Sequence, residues 1–329
     1  MADEAGAMVW PPDRKSEIWR AVLTEDREAI AVIGCGLIGE SWAALFLAHG
    51  YDVHAWDPDP DVRAAFHERL ERPLAQLASL GQSGGGRLRV VDTLADAVAT
   101  AGLVQENAPE KLPVKRALYA EIEAAVPEAA IIASSSSALT WSDLSSEMRR
   151  PERLITAHPF NPPHLIPLVE LFGPDPILVG RAEAIYRDVG RKPVRLKKDA
   201  VGHIANRLAS ALWREAVHIV AEGIADVAEV DAALVHGPGL RWSVMGSHLL
   251  YHLGGGDGGI AHYLNHLGPS QARRWETLGT PCLTPDVCAM LIAGVATEAG
   301  GRSVAELEAV RDARLIRALQ ARGDEDDLA

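Results

Sequence analysis

One stretch, EAIAVIGCGLIGESWAALFLAHGYDVHAWDPDP (28 to 60), constrains the fold more than any other part of the chain. AIAVIG is a short, continuous apolar run, the mark of a strand buried on both faces of a parallel sheet. Gly34, Gly36 and Gly39 follow it. Then Ile38, Trp42, Leu45 and Ala48 or His49 recur at helical spacing, and Gly50 stands where a helix C-terminus favours glycine. DVHAWD reads as a second strand. The stretch therefore predicts one strand–helix–strand unit with a glycine turn at its first corner.

Each glycine has a separate task in such a corner. Gly34 permits the tight turn, Gly36 lets the backbone approach a pyrophosphate, and Gly39 lets helix and strand pack closely. The helix N-terminus, at Leu37 and Ile38, turns free N–H groups and a positive dipole end toward the phosphates. Asp57 ends the second strand, eighteen residues after Gly39. Its carboxylate accepts hydrogen bonds from ribose hydroxyls and repels a 2′-phosphate, and PDPD follows with no arginine to receive that phosphate. The expected cofactor is NAD rather than NADP.

The alternation continues. DVRAAFHERLERPLAQLASL reads as a helix kinked or broken at Pro73; TLADAVATA and VKRALYAEIEAAV read as helices. GLVQENAP, AIIASSSS, LITAHPF and PVRLKK read as strands. Strands alternating with helices imply a parallel sheet covered on both faces. From about residue 199 the strand signal vanishes. GHIANRLASALWREAVHIVAEG is a long helix with Ile204, Leu208, Leu212, Ala216 and Ile219 on one face, and further helices follow to residue 322. The expected fold is α/β: a Rossmann-type parallel-sheet domain (28–198), then a smaller all-helical domain (199–322). Residues 1–27 read as a flexible extension and 323–329 as an acidic disordered tail.

Composition narrows the partners. The net charge of −13 disfavours nucleic acid and anionic membrane. No apolar run reaches the roughly 18 residues of a membrane helix, and the N-terminus lacks a signal-peptide core. Cys35, Cys282 and Cys288 are too scattered for a disulfide framework or zinc site, so no metal and a cytoplasmic location are expected.

HPFNPPHLIPLVEL (158 to 171) puts four prolines around a histidine and then a carboxylate inside an apolar run. The prolines exclude helix and stiffen a turn. His158 is suited to take a proton from an alcohol, and works better when a carboxylate holds its other nitrogen. Glu170, on a strand returning past His158, fits that role, although a buried glutamate needs only some cationic partner.

Together with the glycine loop, Asp57 and ENAPE, this stretch resembles the 3-hydroxyacyl-CoA dehydrogenase superfamily over nearly the whole chain. The resemblance implies that His158 and Glu170 form the catalytic pair. It also implies that Ser137 hydrogen-bonds the substrate hydroxyl, that Asn206 binds the reacting oxygen, and that Glu110 and Lys115 contact the cofactor. Asn161 falls in the family's His-x-x-Asn-Pro segment. Ser135-Ser136-Ser137 stands where the acyl-CoA enzymes usually have Asn-Thr-Ser. That serine run resembles the branch with free-acid substrates, the L-carnitine and L-gulonate (lambda-crystallin) 3-dehydrogenases. Ser134 to Ser136 read as backbone caps.

GPGLRWSVMG (237 to 246) and YHLGGGDGG (251 to 259) resemble the carnitine dehydrogenases most closely. A trimethylammonium group is held by aromatic faces, and Trp141, Trp242, Tyr251 and Tyr263 are available, with Arg241 for the carboxylate. A CoA substrate would use a basic rim; residues 63 to 89 carry five arginines (63, 69, 72, 87, 89). The expected activity is oxidation of the 3-hydroxyl of a small L-3-hydroxy acid, foremost L-carnitine to 3-dehydrocarnitine. The alternatives are an L-gulonate or general 3-hydroxyacid dehydrogenase, a 3-hydroxyacyl-CoA dehydrogenase, and a non-catalytic NAD-binding structural protein. Relatives dimerise through the helical domain, so a homodimer is expected.

Overall fold

The computed structural model describes residues 28–322; the expectations for 1–27 and 323–329 lie outside them. By contacts the chain parts into two compact units between Ala205 and Asn206.

The first unit is an eight-stranded sheet. In chain order its elements are β1 (Ala29–Ile33), α1 (Leu37–Ala48), β2 (Val53–Trp56), α2 (Pro60–Ser79), β3 (Leu88–Val90), α3 (Leu94–Val98), β4 (Ala101–Glu106), α4 (Leu112–Ala125), β5 (Ile131–Ser134), α5 (Trp141–Ser145), β6 (Leu154–Pro159), β7 (Leu168–Phe172), α6 (Pro176–Asp188) and β8 (Lys192–Arg195). The strand order is β3-β2-β1-β4-β5-β6-β7-β8. Alternate residues of the central strands enter separate cores on the two faces. Ile30, Val32, Leu103 and Ile131 pack on one side, and Ala31, Ile33, Val104 and Ile132 on the other. This two-sided burial is why these strands are continuous apolar runs.

The sheet departs from the parallel expectation at one place. β7 runs antiparallel to β6, and β8 is parallel to β7. Only residues 160–167 connect β6 to β7, and a parallel return needs a crossover of about a dozen residues or more. The proline turn, with a cis Asn161–Pro162 bond, reverses the chain instead.

α2 also differs from expectation: it runs unbroken through Pro73. Phe66, Leu70, Pro73 and Leu77 form its buried stripe, so packing holds the helix where the proline removes a backbone donor.

The second unit is helical: α7 (Ala205–Ala221), α8 (Val227–His236), α9 (Pro238–Trp242), α10 (Ser247–Leu253), α11 (Gly259–His266), α12 (Gly268–Trp275), α13 (Pro285–Ala299) and α14 (Val304–Arg322). The apolar face expected on the long helix is only partly covered: Ile204, Leu208 and Leu212 are exposed, while Ala216 and Ile219 are half-buried. Leu208 is 67% and Trp213 58% exposed, and the buried residues of α7 are Val217 and Val220. Among the described residues no single helix is long and apolar enough to cross a membrane.

Candidate active site

The β1–α1 corner shows the three glycine tasks separately. Gly34 has φ +87°, and a Cβ there would sit 2.9 Å from the Asn107 backbone. A Cβ on Gly39 would lie 1.9 Å from the Gly34 carbonyl oxygen. Gly36 has nothing within 4 Å of its Cβ direction, and no side chain caps the α1 N-terminus it begins. Open space before an uncapped helix start, with Leu37 half exposed, suits a pyrophosphate. Asp57 is fixed against this loop: Oδ2 accepts from Cys35 N at 2.8 Å and Oδ1 from Asp59 N at 3.0 Å. The residues present therefore fit a dinucleotide, with Gly34, Gly36, Leu37, Ile38, Gly39 and Asp57 as those that would hold it.

Below the corner lies a buried network that sequence reasoning misses. Glu106 takes Lys115 Nζ at 2.7 Å, Ala108 N at 2.7 Å, Tyr119 OH at 2.6 Å and Ser134 Oγ at 2.8 Å. Lys115, expected at the cofactor, is 1% exposed and committed to this pair; its work is to neutralise a buried carboxylate. A second chain runs from Tyr186 OH to Gln105 Oε1 (2.5 Å), from Gln105 Nε2 to Ser135 Oγ (3.0 Å) and from Ser135 Oγ to Asn107 Oδ1 (2.7 Å). Asn107 Nδ2 donates in turn to the Ile33 carbonyl, tying the serine run to the glycine loop. No sequence signal marks these pairs, because a polar residue in a strand does not show which strand will answer it.

The serine run is thereby sorted. Ser134 binds Glu106, Ser135 binds Asn107, and Ser136 Oγ donates to Glu110. Only the Ser137 hydroxyl has no hydrogen bond among the described residues. Glu110 also accepts from the backbone N–H of Ser137, Ala138 and Leu139 at 3.2, 2.9 and 3.0 Å. Desolvation raises its pKa, but the bonds from Ser136, Leu139 and Ala138 outweigh that and hold it below the ordinary carboxylate range. Its visible work is to hold the serine loop.

β6 and β7 pair so that His158 faces Glu170 in register. His158 Nδ1 lies 2.9 Å from Glu170 Oε2, with the side chains 6% and 1% exposed. Glu170 Oε1 accepts from Ile204 N at 2.7 Å and Ala205 N at 3.0 Å, at the start of α7. Burial pushes the Glu170 pKa up, but hydrogen bonds from His158, Ala205 and Ile204 overcome it, and the net shift is downward. An ionised Glu170 only accepts, so Nδ1 carries a proton, and in the neutral imidazole the lone pair is then on Nε2. The turn between the two strands is anchored by His164, whose Nδ1 meets Ser41 Oγ at 3.0 Å and Nε2 meets Gln76 Oε1 at 2.6 Å.

The other expected residues are distributed as follows. Asn206 is the second residue of α7 and Asn161 is exposed in the proline turn. Trp141 Nε1 donates to the Leu154 carbonyl at 2.8 Å, and its ring meets Phe172 edge-on at 6.2 Å, so packing employs most of it. Trp242 and Tyr251 are exposed on α9 and α10, with Arg241 beside Trp242. Tyr251 meets Tyr263 at 5.0 Å between ring centres. The second glycine cluster makes that contact possible: Cβ atoms would stand 1.8 Å from the Gly259 carbonyl at Gly255 and 2.5 Å from the His252 ring at Gly259.

Residues 29–200 match the NAD-binding domain of 3-hydroxyacyl-CoA dehydrogenase, and residues 202–282 match its C-terminal domain. The chain belongs to the 3-hydroxyacyl-CoA dehydrogenase family. It is an NAD-dependent oxidoreductase acting on a CH–OH group. It is 47% identical to an L-carnitine dehydrogenase of Streptomyces griseus over 305 residues, 91% of each chain. A second L-carnitine dehydrogenase, from Streptomyces coelicolor, is 44% identical over 91% of this chain and 96% of its own. Among solved structures, an NAD+-dependent dismutase, 5-formyl-3-hydroxy-2-methylpyridine 4-carboxylic acid 5-dehydrogenase, superposes with a TM-score of 0.78 at 28% identity, over 91% of this chain and 99% of that one.

Proposed function

We propose that the protein oxidises the 3-hydroxyl of L-carnitine to 3-dehydrocarnitine with NAD. The substrate rests on one observation: identities of 44–47% to L-carnitine dehydrogenases, spanning about nine-tenths of both chains. The chemistry rests on the His158–Glu170 pair. His158 Nε2 removes the hydroxyl proton, while Glu170 fixes the tautomer and stabilises the imidazolium. NAD, when bound, accepts the hydride leaving C3. The Ser137 hydroxyl and the Asn206 amide stabilise the oxygen as it becomes a carbonyl. Trp242, Tyr251 and Tyr263 supply aromatic faces for the quaternary ammonium, and Arg241 a fork for the carboxylate.

The arginines that would suit CoA phosphates are largely engaged. Arg69 pairs with Glu40 at 2.9 Å, Arg87 binds Asp52, and Arg63 donates to the Asp57 carbonyl at 2.6 Å. The test follows NADH formation with L-carnitine, L-gulonate, L-3-hydroxybutyrate and 3-hydroxybutyryl-CoA. The highest kcat/KM is expected for L-carnitine; a higher value for any of the other three overturns the assignment.

The helical unit leaves large apolar side chains uncovered, with Ile224 68%, Ile292 71% and Val304 76% exposed in addition to those of α7. The proposed cover is a second copy, docked through this unit. Light scattering on the eluting protein at micromolar concentration is expected to give twice the chain mass, and a monomer there sinks the homodimer. A cytoplasmic location is part of the same proposal.

A further inference from the structure

His203 carries an arrangement that the reaction as derived above does not use. It is the one non-glycine residue with positive φ among the described residues, at +46°, and is 2% exposed. A bulky side chain keeps such a backbone only where its surroundings over-determine it. Three contacts do so here. His203 Nε2 lies 3.1 Å from the Ser136 carbonyl oxygen. Its ring centre lies 4.9 Å from that of His158, tilted by 39°. The next two residues, Ile204 and Ala205, give their N–H groups to Glu170.

A carbonyl oxygen only accepts, so Nε2 carries the proton. Nδ1 is buried with no partner. Burial holds the imidazole below its ordinary range and His158 adds to that. The Ser136 carbonyl, Glu170 and Asp199 act the other way without prevailing. The ring is thus neutral in a single tautomer. A phenyl ring could fill the same space against His158 but could not bind the Ser136 carbonyl.

We propose that His203 is a positioning residue that fixes, with one ring, both the face of His158 and the loop that presents Ser137. Ser136 precedes Ser137 directly, so the bond to its carbonyl sets where the Ser137 hydroxyl stands relative to the base. The inference rests on the assignment of His158 as base and Ser137 as substrate contact. It adds a residue that acts through His158 and Ser137.

The experiment is a double-mutant cycle on the full chain. His203→Phe is expected to lower kcat about tenfold or more, with the NADH Kd within about twofold of wild type. His203→Gln, which keeps a donor for the Ser136 carbonyl, is expected to recover part of that loss. Combining His203→Phe with Ser137→Ala is expected to cost much less than the product of the two single effects, because the serine is already misplaced. A merely space-filling role predicts effects that multiply; that result, or wild-type turnover by His203→Phe, overturns the proposal. If His203→Phe does not fold, the same cycle is run with His203→Leu, which also lacks a donor for the Ser136 carbonyl, and read by the same rule. His158→Gln is assayed alongside. Turnover by that variant removes the underlying base assignment, whereas an inactive His158→Gln beside a fully active His203→Phe removes only the role of His203.

Discussion

Replacing His158 by glutamine is expected to lower kcat by about three orders of magnitude, roughly 4 kcal/mol of barrier, while leaving NADH binding intact. Glutamine has a similar reach, and its amide can still donate to Glu170 Oε2, so no buried carboxylate loses its partner. What it lacks is a lone pair of sufficient basicity to take the hydroxyl proton. The dinucleotide corner does not feel the change: β6 lies three places along the sheet from β1, with β4 and β5 between. NADH fluorescence titration should therefore give a Kd near wild type. A variant that turns over L-carnitine within about tenfold of wild type would remove His158 from the base role. A variant that also loses NADH would show that the substitution disturbs the fold instead.

How much was legible in the sequence differs by residue, and the difference is physical. The glycine corner was legible because its demands are local and steric: Gly34 needs positive φ, and Gly39 has no room for a Cβ. The pairing of His158 with Glu170 was legible in part. The prolines announced a stiff turn, and a turn as short as residues 160–167 forces an antiparallel return, the step the parallel-sheet expectation missed. The apolar face of α7 was legible as a face but not in its partner, since helical periodicity says that Leu208 and Leu212 want cover, not what supplies it. Pro73 was read as a kink or a break, and the break did not occur, because the rule for an isolated helix was applied to one pinned by Phe66, Leu70 and Leu77. Lys115 and Glu106 were illegible as a pair, being brought together only by folding. His203 left one faint mark: a histidine directly after Gly202, at the predicted start of a helix, where a cap or an apolar residue would be ordinary.

Replacing Glu170 by glutamine is expected to cost about a hundredfold or more in kcat/KM for L-carnitine oxidation. Glu170 makes two attachments at once: Oε2 holds His158 Nδ1, and Oε1 caps the N–H groups of Ile204 and Ala205. Glutamine can accept with one oxygen only, so its NH2 group must face either a donor nitrogen or the α7 N-terminus, and one contact is lost. Removing the charge also removes the anion 2.9 Å from the ring that favours imidazolium. The imidazolium that forms as His158 takes the hydroxyl proton is then less stabilised, so kcat falls along with kcat/KM. Stability follows from the sign of the shift. The Glu170 pKa is lowered in the fold, so its contribution is full at neutral pH and fades as pH falls through and below about 4, the ordinary carboxylate range. The variant should lie below wild type in thermal midpoint at pH 7 and converge on it in acid. Rates that match wild type would mean that the carboxylate serves only the α7 cap. A midpoint gap that widens in acid would mean that Glu170 is protonated in the fold and that His158 works without an anion behind it.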